Sequence, residues 1–241
     1  MFKSFISAMR TLTAIPVPGE DCEPFENSLY AFPVVGAVLG ALLCAAAFLL
    51  HGPLPASVAA AMLLTAQTLL TRGFHLDGIA DAADGFGGGY TRERALAIMK
   101  DSQIGAFGAL ALILTLLLKF TLFTALLNEK AMGGIFAAMV ISRTAQVFQC
   151  VAWPYARPNG TAAATVQNAT QHHLMVTLLI CAGLLFLTGL KFLLLLPFGL
   201  VAAWLWGLYC RKRVGGITGD LLGATSELVE ITILIGSLLI R

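Results

Sequence analysis

Apolar stretches of bilayer-crossing length recur along this chain and constrain it more than any other feature. They run over residues 31–50, 55–71, 105–127, 132–152, 174–190, 192–210 and 221–240. A helix crosses a hydrocarbon core of about 30 Å with roughly 20 such residues. The pattern predicts an all-α fold: a polytopic integral membrane helix bundle of about seven transmembrane helices, forming one domain over 1–241. Composition agrees, with 58% hydrophobic and 12% charged residues, against about 25% charged in a soluble domain. So little polar surface cannot cover a water-soluble globule, and so much apolar surface excludes a disordered chain. The net charge of +2 gives no sign of a nucleic-acid partner.

Basic residues predict the orientation, because cytoplasmic loops carry the excess of Lys and Arg. With the N-terminus inside, the inner segments hold Lys3, Arg10, Arg72, Arg92, Arg94, Lys100, Arg157, Arg211, Lys212 and Arg213. The outer segments hold only Lys130, Lys191 and Arg241. The longer loops, 72–104, 153–173 and 211–220, then all face the cytoplasm, where the active face is expected. Residues 2–12 read as an amphipathic interfacial helix, with Phe2, Phe5, Ile6, Met9 and Leu12 opposite Lys3, Ser4, Ser7 and Arg10. Residues 16–30 read as an acidic, Pro-rich surface link.

Only 13 acids are present, so their placement is informative. Asp77, Asp81 and Asp84 follow i, i+4, i+7 spacing, which puts three carboxylates on one helical face about 6 Å apart. Their repulsion is relieved by a hard divalent cation, and Mg²⁺ characteristically takes one or two carboxylates plus phosphate oxygens. The glycine-rich run 85–89 allows close backbone approach to a ligand. Arg92, Arg94 and Lys100 follow and can hold phosphate, with Arg72 just upstream. The cluster fits metal-assisted chemistry, or transport. His75 reads either as a helix-end residue or as a general base near the metal.

A second cluster spans 211–231. Thr218 is placed to cap a helix beginning at Asp220, itself either a ligand contact or a helix-end charge. Glu227 and Glu230 lie inside the last apolar run, where an ionisable group is functional or paired. Arg143, within another span, is the expected partner of Glu227. Arg211–Arg213 reads as a topology signal, and Arg157-Pro158-x-Gly160 as a phosphate-contacting turn. The five cysteines show no disulfide or zinc spacing. The Asn159 and Asn168 sequons, and His172 and His173, carry no expected role.

Several strings also carry a family resemblance: RTLTAIPVP, FPVVG, HLDGIADAADGFGGG, KDSQIGAFG, ISR, YARPNG and GGITGDLLGATSELVE. In this order, over nearly the whole chain, they resemble the adenosylcobinamide-GDP ribazoletransferase (cobalamin-5′-phosphate synthase) family. The resemblance implies an integral inner-membrane enzyme of bacteria or archaea. It implies Mg²⁺-dependent joining of adenosylcobinamide-GDP to α-ribazole or its 5′-phosphate, giving adenosylcobalamin or its phosphate, plus GMP. Asp77, Asp81 and Asp84 would then hold the metal against the diphosphate. The substrate-binding set would draw on Arg72, Arg92, Arg94, Lys100, Arg143, Arg157, Asp220 and Glu230. One of His75, Asp101 or Glu227 would accept the ribose hydroxyl proton. A homo-oligomer or cobalamin-assembly partners fit the same picture.

Two other enzyme classes put spaced aspartates at a membrane boundary, the CDP-alcohol phosphotransferases and the aspartate-rich prenyltransferases. The chain lacks the Ala-Arg that the former places after Asp-Gly. A cation or metabolite transporter would keep its acids near mid-membrane.

Overall fold

The computed structural model describes residues 2–240. Their regular secondary structure is entirely helical, and no strand occurs among the described residues. The chain runs α1 (Phe2–Leu12), a 3-10 turn (Phe25–Ala31) continuing into α2 (Phe32–Leu50), α3 (Ala56–Leu70), α4 (Phe74–Gly88) and α5 (Arg92–Ile98). It continues through α6 (Ala106–Asn128), α7 (Gly133–Ala152), α8 (Ala163–Asn168), α9 (Gln171–Thr188) and α10 (Leu190–Leu193). The last two helices are α11 (Leu196–Val214) and α12 (Gly219–Leu239).

Six segments are long and apolar enough to cross a bilayer: 25–50, 106–128, 133–152, 171–188, 190–214 and 219–239. The seventh expected span, α3, has only 15 residues. It would be about 22 Å long, short of the hydrocarbon core. Pro55 precedes its first residue, and Arg72 (φ 54°) and Gly73 (φ 65°) turn the chain sharply after it. The boundaries of the other spans follow similar local signals. Thr170 and His173 form a capping box that starts α9 at Gln171. Gly215, at φ 83°, ends α11 only after the basic triplet Arg211–Arg213.

The helix α7 is the axis of the bundle, buried on nearly every face from Gly134 to Cys150. It packs most extensively on α2 and α12. Gly36 of α2 lies on the backbone of Met139, so any side chain there would collide with α7. Contacts between remote elements define the two ends of the bundle. One end gathers Ala14 beside Leu70, Tyr30 beside His172, and Trp206 beside Leu221. The other gathers Gly134 against Ser237 and Gly133 against Phe192. Between these ends α2, α3, α6, α7, α9, α11 and α12 alternate in direction.

The helix α1 is amphipathic as expected, with Ile6, Met9 and Leu12 buried and Lys3 and Arg10 exposed, but its serines are covered as well. Ser4 and Ser7 are buried, whereas Phe2 is 74% exposed. The reason is the link after it, which folds back over the serine face. Ser7 Oγ donates to Asp21 (3.0 Å) and accepts the Cys22 amide (2.8 Å). Arg10 donates to the carbonyls of Val17 and Gly19. The link of residues 16–30 is therefore tied to α1.

Candidate active site

The acid-rich stretch 72–104 folds into α4 and α5 at one end of the bundle. Gly78 lies on the backbone of Asp220 and Gly223, and a Cβ there would collide with the Asp220 carbonyl. This close approach sets α4 across the start of α12. It brings Asp77 and Asp81 beside Asp220, on the wall of a cavity of about 780 Å³. Thr218 caps α12 by accepting the Leu221 amide at 3.3 Å, as expected. The opposite wall of the cavity carries Glu93, Lys100 and Asp101, and the turn Arg157–Thr161 closes it.

Electrostatics within the cavity are unbalanced. Arg157 pairs with Asp220 at 2.9 Å, which leaves Asp77 and Asp81 facing acids without a paired cation of their own. Partial burial raises the Asp77 pKa, and Asp220 raises it further. Burial, then Asp77 and Asp220, push Asp81 up to about 7 against the opposing pull of Arg157. Apposed carboxylates with raised pKa values characterise functional sites.

The expected aspartate triad is not assembled. Asp84 is buried at 8% exposure, and its two oxygens accept the amides of Gly105 (2.7 Å) and Gly108 (2.8 Å). It closes the first turn of α6 and lies apart from the cavity. Among the described residues, no three His, Cys, Asp or Glu side chains are gathered tightly enough to hold a metal by themselves. Helical spacing put the three aspartates on one face, but that face is shared between two neighbours. The glycines also differ from expectation. α4 continues through Gly88, with Gly85 packed on Met99, Gly87 on Phe107 and Gly89 on Ala95. Their closeness serves α4's own packing.

The basic residues separate likewise. Lys100 and Arg157 line the cavity. Arg92 instead reaches the Ala156 carbonyl at 3.1 Å, bracing α5 against that turn. Arg94 is exposed and does not line the cavity. Arg72 lines a neighbouring cleft of about 510 Å³ that shares Asp77 with the cavity. Arg213 donates to the carbonyls of Phe86 and Gly89, both at 2.9 Å, capping the end of α4 as well as adding charge.

Glu227, Glu230, Arg143 and His75 form a different site, a buried charge cluster among α4, α6, α7 and α12. Lys119 donates to Glu227 and to Glu230, each at 2.7 Å, and Arg143 pairs with Glu230. The expected Arg143–Glu227 pair is therefore exchanged: Glu227 belongs to Lys119. Arg143 also donates to Ser142 (2.8 Å) and Ser226 (2.9 Å), and Gln67 donates to Glu230 (2.6 Å). His75 Nδ1 accepts from Arg143 Nη2 at 3.3 Å. Because a guanidinium only donates, the imidazole proton sits on Nε2. Burial, helped by the Arg143 charge, drives the His75 pKa well below the usual imidazole range. None of these four lines the cavity.

Sequence reasoning missed Lys119 and Glu93. A lysine in the middle of an apolar run signals a buried partner. Glu93 sits among exposed charges and gave no such signal.

Comparison with known proteins matches residues 4–238 to the family model for cobalamin-5-phosphate synthase. An adenosylcobinamide-GDP ribazoletransferase of Chlorobaculum tepidum is 48% identical over 95% of this chain and 92% of its own length. One from Chlorobaculum parvum is 45% identical over 97% of this chain and 94% of its own. One from Syntrophobacter fumaroxidans is 38% identical over 97% and 92%. No solved structure gives a significant match.

Proposed function

The chain belongs to the cobalamin-5-phosphate synthase family, and we infer from that membership that it is an adenosylcobinamide-GDP ribazoletransferase. It is a multi-pass membrane enzyme that joins a cobinamide-GDP donor to α-ribazole, or its 5′-phosphate, in assembling the nucleotide loop of cobalamin. The acceptor hydroxyl oxygen bonds to the phosphorus attached to cobinamide, the bond from that phosphorus to GMP breaks, and the hydroxyl proton passes to a base. The observation that carries the reading is the meeting of Asp77, Asp81 and Asp220 in one cavity with Lys100 and Arg157.

The donor set suits Mg²⁺. Asp77, Asp81 and Asp220 line one cavity as hard oxygen donors without closing a three-carboxylate cage, and the raised pKa values of Asp77 and Asp81 mark repulsion that a divalent cation relieves. Asp77, Asp81 and Asp220 would hold it, with phosphate oxygens completing its coordination. Bound there, the cation neutralises diphosphate charge and stabilises the departing GMP. Lys100 and Arg157 contact non-bridging oxygens and orient the diphosphate, since positioning and charge stabilisation dominate such displacements. Of the three candidate bases, Asp101 lines the cavity, and His75 and Glu227 are enclosed in the charge cluster. We assign proton acceptance to Asp101.

The basic-residue distribution supports an inner-membrane topology with the N-terminus and the cavity on the cytoplasmic side, the six long spans being joined in alternation by the short return helix α3. The purified chain in lipid vesicles should release GMP from adenosylcobinamide-GDP only when α-ribazole and Mg²⁺ are both added. Release without the acceptor, or none with both, defeats the reading.

A further inference from the structure

A second, smaller pocket adjoins the cavity and has a contrasting chemistry. Its volume is about 110 Å³, and it lies between α1, the 3-10 turn, α7 and the start of α12. Phe25, Phe32 and Phe74 line it together with Leu12, Cys150 and Leu222. Thr161 belongs to both spaces, and Gly219 of this pocket directly precedes Asp220 of the cavity.

Two polar side chains in this apolar lining are unmatched. Ser28 is 1% exposed and Gln146 is 3% exposed, yet Ser28 Oγ and Gln146 Oε1 have no hydrogen-bond partner. Gln146 Nε2 donates to the Leu222 carbonyl at 3.2 Å, which fixes Oε1 as the free end. An unpaired buried polar atom costs about 1–3 kcal/mol, so such atoms in a pocket point to a ligand that completes them.

We propose that this pocket seats the flat heteroaromatic base of the ribazole acceptor, a subsite that rests on the transferase reading above. An apolar cavity of roughly 150 Å³ takes a benzene ring; at about 110 Å³ this pocket is smaller, so it takes the leading edge of a fused base while the rest of the ring stays at its mouth. A corrin is too large, and a guanine ring carries more donors and acceptors than the two unmatched atoms, Ser28 Oγ and Gln146 Oε1, can meet in this apolar lining. The Ser28 hydroxyl donates to the ring nitrogen, and Gln146 Oε1 accepts from a sugar hydroxyl. The sugar then lies toward Thr161, with its reacting hydroxyl in the acidic cavity. Charged groups are absent from the pocket lining, so the diphosphate of the donor is kept out of it.

Steady-state kinetics of the full chain in lipid test this. Ser28→Ala removes one hydrogen bond and should raise the KM for α-ribazole about five-fold. Cys150→Leu fills the pocket and should raise it at least about ten-fold. The KM for adenosylcobinamide-GDP should stay within about two-fold of wild type. Parallel rises in both KM values, or no rise for α-ribazole, overturn the subsite. Wild type that releases no GMP would defeat the transferase reading itself. Equilibrium dialysis of α-ribazole then decides the pocket alone: binding lost in Cys150→Leu supports it, and equal binding overturns it.

Discussion

Asp84 accepts the amide of Gly108 at 2.8 Å, so a carboxylate from α4 closes the first turn of α6. Gly108 and Gly105 both lie so close to that carboxyl that a Cβ on either would strike it. The third aspartate of the motif therefore joins two helices, while the first two face the cavity.

Asp84→Ala should destabilise the protein by about 1–3 kcal/mol, because two amides at a helix start lose their acceptor. Asp84→Asn keeps one acceptor oxygen and should cost less. Thermal midpoints in lipid nanodiscs check this order. An unchanged midpoint for Asp84→Ala would refute the capping role.

Asp81→Asn should reduce turnover by at least about 10²-fold, the scale of losing a principal electrostatic group, with no loss of folding. It also removes a pH dependence. The folded-state pKa of Asp81 is raised to about 7 from 3.8, so the folded protein binds more protons than the unfolded chain between those values. Stability without Mg²⁺ should therefore fall as pH rises through that window. Mg²⁺, or Asp81→Asn, should flatten the slope. Midpoints recorded from about pH 4 to 8, with and without Mg²⁺, decide it. A rising slope in wild type contradicts the assignment.

Lys119→Met leaves Glu227 and Glu230 buried together without their shared cation. Removing one partner of a buried ion pair costs about 3–5 kcal/mol. The double variant Lys119→Met with Glu227→Gln should recover much of that loss, because Arg143 still balances Glu230. Yields of folded protein and thermal midpoints measure both. Additive losses in the double variant would show that the cluster does not balance its charge in this way.

Tyr90, 98% exposed beside the cavity-forming helices, reports orientation. A cysteine introduced by Tyr90→Cys should react with an impermeant maleimide only in inside-out membrane vesicles. Reaction in right-side-out vesicles would invert the proposed topology.

The bundle was legible in the sequence because lipid imposes a length requirement that apolar runs display directly. Six of the seven alternating helices follow from it; the seventh, α3, returns the chain between α2 and α6 with only 15 residues. What hydropathy could not reveal was which side chain meets which. Asp77, Asp81 and Asp84 share a helical face by spacing, yet two different neighbours, α12 and α6, lie against it. Glu227 and Glu230 stood out as buried acids, but their partners depended on helix rotation. Lys119 on α6 enters between them, and Arg143 is left to Glu230. Gly85–Gly89 read as backbone open to a ligand because glycine permits any close approach. The identity of the approaching backbone is a tertiary fact.

Gly78 presses α4 onto α12, and the two sources of the acidic cavity are separated by most of the polypeptide. A nascent chain therefore carries Asp77 and Asp81 into the membrane long before Asp220 is synthesised. Until α12 docks on that glycine, the cavity lacks Asp220, and Arg157 lacks its carboxylate partner. Insertion of this helix beside its early partner is the event that switches a harmless translation intermediate into a competent catalyst.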